Sequence, residues 1–147
     1  MTSTPSVRIA SPADAEVVAA LVTELEHPIA ADQAHRFLAS LAGRSDTIVF
    51  VATVEERVCG LIAGHLLPVL SEPDPILMIT ALSVSAAYQR SGAGRALVER
   101  LEAWGRENGA ARVLVTTALR RDGAHAFYER LGYSFSGRRY VRRFADE

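Results

Sequence analysis

The stretch that most restricts the fold is residues 76–84, "ILMITALSV", in which only Thr80 and Ser83 are polar. Polar and apolar residues do not alternate along it, so it reads as a central strand needing cover on both faces. A sheet holding such a strand takes helices on its two sides. The residues that follow, "SAAYQRSGAGRALVERL", form a polar turn containing Gly92 and Gly94. An amphipathic helix comes next, with Leu97, Val98, Leu101 and Trp104 on one face and Gly109 as its stop.

The other elements read in order around this strand. "VRIA" at 7–10 is a short strand, and a helix follows with Ser11 as N-cap and Pro12 at its first position. Its apolar face is Val17, Val18, Leu21, Val22 and Leu25. A second helix places Ala34, Phe37, Leu38 and Leu41 together and stops near Gly43. "TIVFVATVEERVCGLIAGHLL" is two strands joined by a tight turn at Glu55–Glu56–Arg57, and Pro68 to Pro75 is a loop. After the glycine turn and its helix, "RVLVTTAL" is another buried strand. Ala124, Phe127, Tyr128 and Leu131 mark a last helix ended by Gly132, and "YSFSGRRYVRRF" alternates as a closing pair of strands. The predicted order is β-α-α-β-β-β-α-β-α-β-β, a mixed sheet with flanking helices.

Composition narrows the function classes. The chain has 147 residues, 49% hydrophobic and 22% charged, which fits one folded domain over 1–147. A net charge of −1 gives no global attraction to nucleic acid or to a membrane surface, so neither is an expected partner. The single cysteine, Cys59, excludes an internal disulfide and a cysteine-based zinc site, and no metal is expected. No apolar run reaches the roughly 20 residues of a membrane span. The first residues lack a signal peptide's regions, so a cytoplasmic protein is expected.

The glycine turn admits two readings. A helix N-terminus offers unpaired N–H groups and partial positive charge to an anion, and glycines let a phosphate approach the backbone closely. The same residues also suit an ordinary strand-to-helix turn. The turn lacks the third glycine of the dinucleotide fingerprint and the "GK[ST]" of a P-loop.

"VSAAYQRSGAGRALVERL", with Gln89, Gly92 and Gly94, resembles the coenzyme-A-binding motif of the GNAT acetyltransferase superfamily. Downstream, "AHAFYERLGY" is similar to that family's "FYxxxGF" signature, with Tyr128 in the tyrosine position. The resemblance implies an α/β (α+β mixed) fold: a mostly antiparallel sheet of about seven strands, with the fourth and fifth splayed apart. It implies acetyl-CoA as cosubstrate, its pantetheine arm held by backbone groups of Leu82, Ser83 and Val84. The pyrophosphate would lie on the N–H groups of Gln89, Arg90, Ser91, Gly92, Ala93, Gly94 and Arg95. The implied activity is N-acetylation of a primary amine by direct attack on the thioester, with Tyr128 giving a proton to the departing sulfur.

The attacking amine must be neutral, although a free alkylamine has a pKa of about 10.4. A base or a desolvating pocket has to take its proton. Many relatives carry a glutamate in the strand before the turn, where this chain has Thr80 and Ala81. His65, Glu72, Asp74 and an ordered water are the remaining candidates. Glu72 and Asp74 also hint at a cationic acceptor. Arg121 stands where many relatives have a pantetheine-contacting asparagine. His125 lies one position beyond the Tyr128 face and reads as exposed. Arg138, Arg139, Arg142 and Arg143 form either a solvated strand edge or a basic patch for a coenzyme A phosphate. By analogy with such folds, a homodimer through strand edges is an expectation. A non-catalytic acyl-CoA-binding regulatory module is the alternative reading of the same fold.

Overall fold

The protein was analysed as a computed structural model, which describes residues 4–25, 28–116, 122–137 and 140–144. The chain divides into two compact units, Met1–Val115 and Thr116–Glu147.

The first unit is built on a sheet of five strands lying side by side in chain order: β1 (Ser6–Ile9), β2 (Thr47–Val54), β3 (Arg57–Leu67), β4 (Ile76–Val84) and β5 (Arg112–Val115). The first four are antiparallel and β5 runs parallel to β4. The β2–β3 turn is as tight as expected, with Val54 opposite Arg57. Glu55 and Glu56 take positive φ, 51° and 67°, the geometry whose twist matches the two strands.

Helices cover both faces, as the apolar run at 76–84 requires. Helices α1 (Ala15–Thr23) and α2 (Ala31–Ser40) lie on one side. There Val18, Leu21, Ala34 and Leu38 pack with Val49, Val51, Leu61 and Ala63 of the sheet. Phe37, expected on the apolar face of α2, is instead 47% exposed. Helix α3 (Ala93–Glu107) lies on the opposite face with Leu97 and Leu101 fully buried. The approach there is close: a Cβ on Gly64 would stand 2.7 Å from Leu101, and one on Gly105 would stand 2.8 Å from Leu77. The Arg100 guanidinium lies over the Phe50 ring, 4.6 Å from its centre. Gly109 follows α3 with φ 83°, as its role as a stop demands.

The start of the first helix differs from a simple cap. Pro12–Asp14 form a 3-10 turn ahead of α1. The buried Asp14 carboxylate accepts the Ser11 N–H at 2.8 Å and two bonds from the Arg8 guanidinium, each 2.9 Å. The Arg8 bonds hold Asp14 below the usual carboxylate range, assisted by the Ser11 backbone and against the cost of burial.

In the second unit, α4 (Asp122–Arg130) is followed by Gly132 with φ 95°. The expected closing strands are absent from the described residues: 133–137 and 140–144 hold no regular structure, and the sheet has five strands rather than about seven. Phe135, Tyr140, Val141 and Phe144 are exposed there. Alternation alone does not make a strand when no neighbour buries one of its faces. Among the described residues no helix is long and apolar enough to cross a membrane.

Candidate functional site

The candidate site lies along the second half of β4. β4 has nine residues, yet its ladder with β5 covers only Ile76–Ile79, opposite Arg112–Val115. Among the described residues, Thr80 to Val84 continue with β3 alone. Backbone groups alternate sides along a strand, so every second residue of this half has its N–H and C=O directed to the side that β5 occupies lower down. A bulge lies where the described β4–β5 ladder stops. Ala63 faces Ala81 while Gly64 faces Ile79, which leaves Thr80 as the extra residue. Leu82 and Val84 are half-buried and Ser83 is buried.

Beyond Val84 the chain is fixed by main-chain bonds. The Ser85 N–H donates to the Cys59 carbonyl at 2.8 Å. Cys59 is the unpaired residue of a second bulge, in β3, because Ala52 faces Gly60 and Thr53 faces Val58. Its thiol is wholly buried, and burial pushes its pKa up, so it is a structural residue rather than a reactive one. Ala86–Tyr88 then form a 3-10 turn, and the Gln89 side-chain amide donates to the Val84 carbonyl at 3.2 Å. Arg90 has φ 69° and Gly92 φ 93°, two left-handed residues that swing the chain into α3.

The backbone donors predicted for the phosphate separate into two groups. The Ser91 N–H is used by the Tyr88 carbonyl at 3.1 Å and the Ala93 N–H by the Ser91 hydroxyl at 3.3 Å. Those of Arg90, Gly92, Gly94 and Arg95 have no acceptor among the described residues. They sit where the partial positive charge of α3 is concentrated. The Arg95 guanidinium is paired with Glu99 at 3.0 Å on the exposed side, whereas Arg90 is exposed with no such pairing among the described residues.

The candidate bases are spread out. Glu72 is ion-paired with Arg112 where β4 and β5 begin, at the end of the sheet away from the turn. From Ile76 to Leu82 is six residues of strand, about 20 Å. Glu72 is therefore neither a free carboxylate nor close to Leu82. Asp74 shares that loop. His65 is half-buried in β3, with its Nδ1 2.9 Å from the Thr47 hydroxyl of β2.

In the second unit, Tyr128 is buried, at 7% exposed, while Phe127 and Leu131 are half-buried. Its ring meets Phe127 edge-on at 5.2 Å and Tyr133 at 5.4 Å. The Tyr133 N–H donates to the Tyr128 carbonyl at 3.0 Å, closing the helix end. His125 is half-buried rather than exposed. Arg121, Arg138 and Arg139 lie outside the described residues, while Arg142 and Arg143 are exposed.

Sequence reasoning missed both bulges, the Ser85–Cys59 bond and the left-handed Arg90. Only the glycine at 92 carried a readable signal of the turn's geometry.

A family model described as the acetyltransferase (GNAT) family matches residues 15–133. No curated protein matches the sequence. Among solved structures, AAC(6′)-Iy in complex with a bisubstrate analogue, CoA-S-monomethyl-acetylneamine, superposes with a TM-score of 0.85 at 15% identity, covering 98% of this chain and 100% of that one. An aminoglycoside acetyltransferase from an uncultured soil metagenomic sample, in complex with sisomicin, gives 0.77 at 18% identity over 97% of each chain. A transcriptional regulator from Bacillus halodurans C-125 gives 0.82 at 20% identity, covering 95% of this chain and 99% of that one. At such identities these likenesses establish a shared fold.

Proposed function

The chain belongs to the GNAT acetyltransferase family, and from that premise we propose that it transfers the acetyl group of acetyl-CoA to a primary amine by direct attack on the thioester. The observation that carries this reading is the continuity of two binding elements. The half of β4 beyond Ile79, which among the described residues pairs with β3 alone, runs straight into a turn at the start of α3, where four backbone N–H groups have no acceptor among the described residues. An extended pantetheine arm suits the first as an added strand, and a pyrophosphate suits the second.

In this reading Leu82, Ser83 and Val84 hold the arm through their backbone. Arg90, Gly92, Gly94 and Arg95 give main-chain donors to the pyrophosphate, while Gln89, Ser91 and Ala93 hold the turn in shape. A backbone N–H near Leu82 stabilises the oxyanion that forms on attack. Tyr128 is the proton donor to the sulfur: a phenol with a pKa of about 10 is protonated at neutral pH and can meet a thiolate as it departs.

The acceptor is an amine, and the aminoglycosides bound by solved structures of this fold make polycationic amines the first class to try. The test measures free coenzyme A thiol after mixing the protein with acetyl-CoA and a panel of aminoglycosides, polyamines and peptides with free N-termini. Amine-dependent thiol release is expected. Tight acetyl-CoA binding with no release for any amine would replace this reading with a non-catalytic acyl-CoA-binding module.

A further inference from the structure

Thr47, His65, Met78 and Leu114 lie in register across β2, β3, β4 and β5. Residues paired in this way project to one side of a sheet. That side is the one covered by α1 and α2, because Thr47 and His65 alternate in step with Val49, Val51, Leu61 and Ala63. Those four are buried, whereas all four members of the Thr47 row are half-buried. The row is a shelf that the two helices leave partly open. It lies one step from the last described β4–β5 pair, Ile79 with Val115, and four residues from Leu82, near which the acetyltransferase reading places the oxyanion. Four residues of strand span about 13 Å, which the His65 side chain, the acceptor and bound water bridge together.

The hydrogen bonds on this shelf decide where the imidazole carries its proton. Asp46 Oδ1 accepts from Arg44 Nε at 3.1 Å and from the Thr47 hydroxyl at 3.1 Å. These bonds, the Arg44 guanidinium foremost, hold Asp46 below the usual carboxylate range, so it is an anion that only accepts. A hydroxyl has one proton, and that of Thr47 goes to Asp46. The 2.9 Å contact between Thr47 Oγ1 and His65 Nδ1 then requires Nδ1 to be the donor. In the neutral ring Nε2 is left with a free lone pair. Among the described residues His65 forms no ion pair that would compete.

We propose that His65 Nε2, held in this tautomer by the Asp46–Thr47 chain, is the base that deprotonates the acceptor amine through bridging water. The proposal rests on the acetyltransferase reading. The proposal requires the amine to reach the thioester from the face on which the shelf lies, opposite to α3. The ammonium passes one proton to His65 by way of the water, and the ring later releases it to solvent. The freed nitrogen lone pair forms the new N–C bond and the C–S bond breaks with its electrons on sulfur. The nitrogen then loses a second proton and the sulfur gains one, giving amide and free thiol. Thr47 is a positioning residue that acts through His65.

Steady-state kinetics of His65→Gln, His65→Ala and Thr47→Val test this, alongside acetyl-CoA affinity. Loss of a general base lowers kcat/KM for the amine by about 10²–10⁴-fold, with acetyl-CoA affinity changed less than about twofold on the affinity scale. Added imidazoles should restore His65→Ala, and the restored rate should climb with their basicity, which a space-filling role would not produce. Thr47→Val should lose less, and the double variant should be no worse than His65→Ala alone because the two act as one unit. Full turnover by a folded His65→Gln, rescue indifferent to basicity, or loss of acetyl-CoA binding would each overturn the assignment. Absence of thiol release from the wild-type protein with every amine is a different result: it overturns the acetyltransferase reading, and the role of His65 with it.

Discussion

Tyr128 joins burial to a group that can give up a proton, and the two properties make separable demands. Tyr128→Phe keeps the ring contacts with Phe127 and Tyr133 and removes only the hydroxyl. Turnover should fall by about 10²-fold, the scale of a lost general acid, while acetyl-CoA affinity holds; unchanged turnover removes Tyr128 from the chemistry. Gly92 makes the opposite demand. Its φ of 93° favours glycine, yet a Cβ there would meet nothing within 4 Å. Gly92→Glu therefore folds with about 1–2 kcal/mol of backbone strain and sets a negative charge among the free N–H groups. Acetyl-CoA affinity should drop at least about tenfold by calorimetry, with Gly92→Ala, strained but uncharged, falling in between. Equal affinity in all three proteins would show that the turn does not hold the phosphates.

At the scale of elements, two local structures have properties that can be measured without any ligand. The β2–β3 hairpin is built on two glutamates in the left-handed region, where an L-residue costs roughly 1–2 kcal/mol. Glu56→Gly relieves one of them. Thermal unfolding should shift upward by about 2–4 °C for each kcal/mol recovered, and a downward shift would mean that the turn's geometry has been misjudged. The Arg8–Asp14 pair ties β1 to the start of α1. Asp14 titrates below its unfolded value of about 3.9, so its contribution is present above that pH and is lost as pH falls through the lower, folded value. Arg8→Ala should remove about 1 kcal/mol near neutrality, a modest figure because Arg8 is half-exposed. It should also flatten the acid limb of a stability-versus-pH curve. An acid limb identical to wild type would assign the acid sensitivity to other carboxylates.

For the whole molecule, binding that selects the folded state raises its stability. Acetyl-CoA at about a hundred times its dissociation constant adds about 2.7 kcal/mol, which in a chain of this size moves the midpoint by about 5–10 °C. No shift in a melting scan would deny the cosubstrate. This architecture was largely readable from residues 76–84, because an apolar run with no polar alternation can only be an interior strand. The hairpin at 55–56 and the stops at Gly109 and Gly132 were readable for similarly local reasons. The bulges at Thr80 and Cys59 were not, since a one-residue slip exists only relative to a partner strand. The Asp46–Thr47–His65 chain was hidden for the same reason: Thr47 and His65 are 18 positions apart and meet only through register. The described parts of the tail, 133–137 and 140–144, misled because alternating residues look like strands whether or not they are paired.

The bond from Ser85 to the Cys59 carbonyl has a consequence for mutation. It is made by atoms that every residue except proline possesses, and most of the turn's remaining geometry is made the same way. A substitution at Ser85 or Cys59 that avoids proline therefore leaves that bond in place, whereas the Gln89 amide and the Ser91 hydroxyl are the points at which the turn depends on particular side chains.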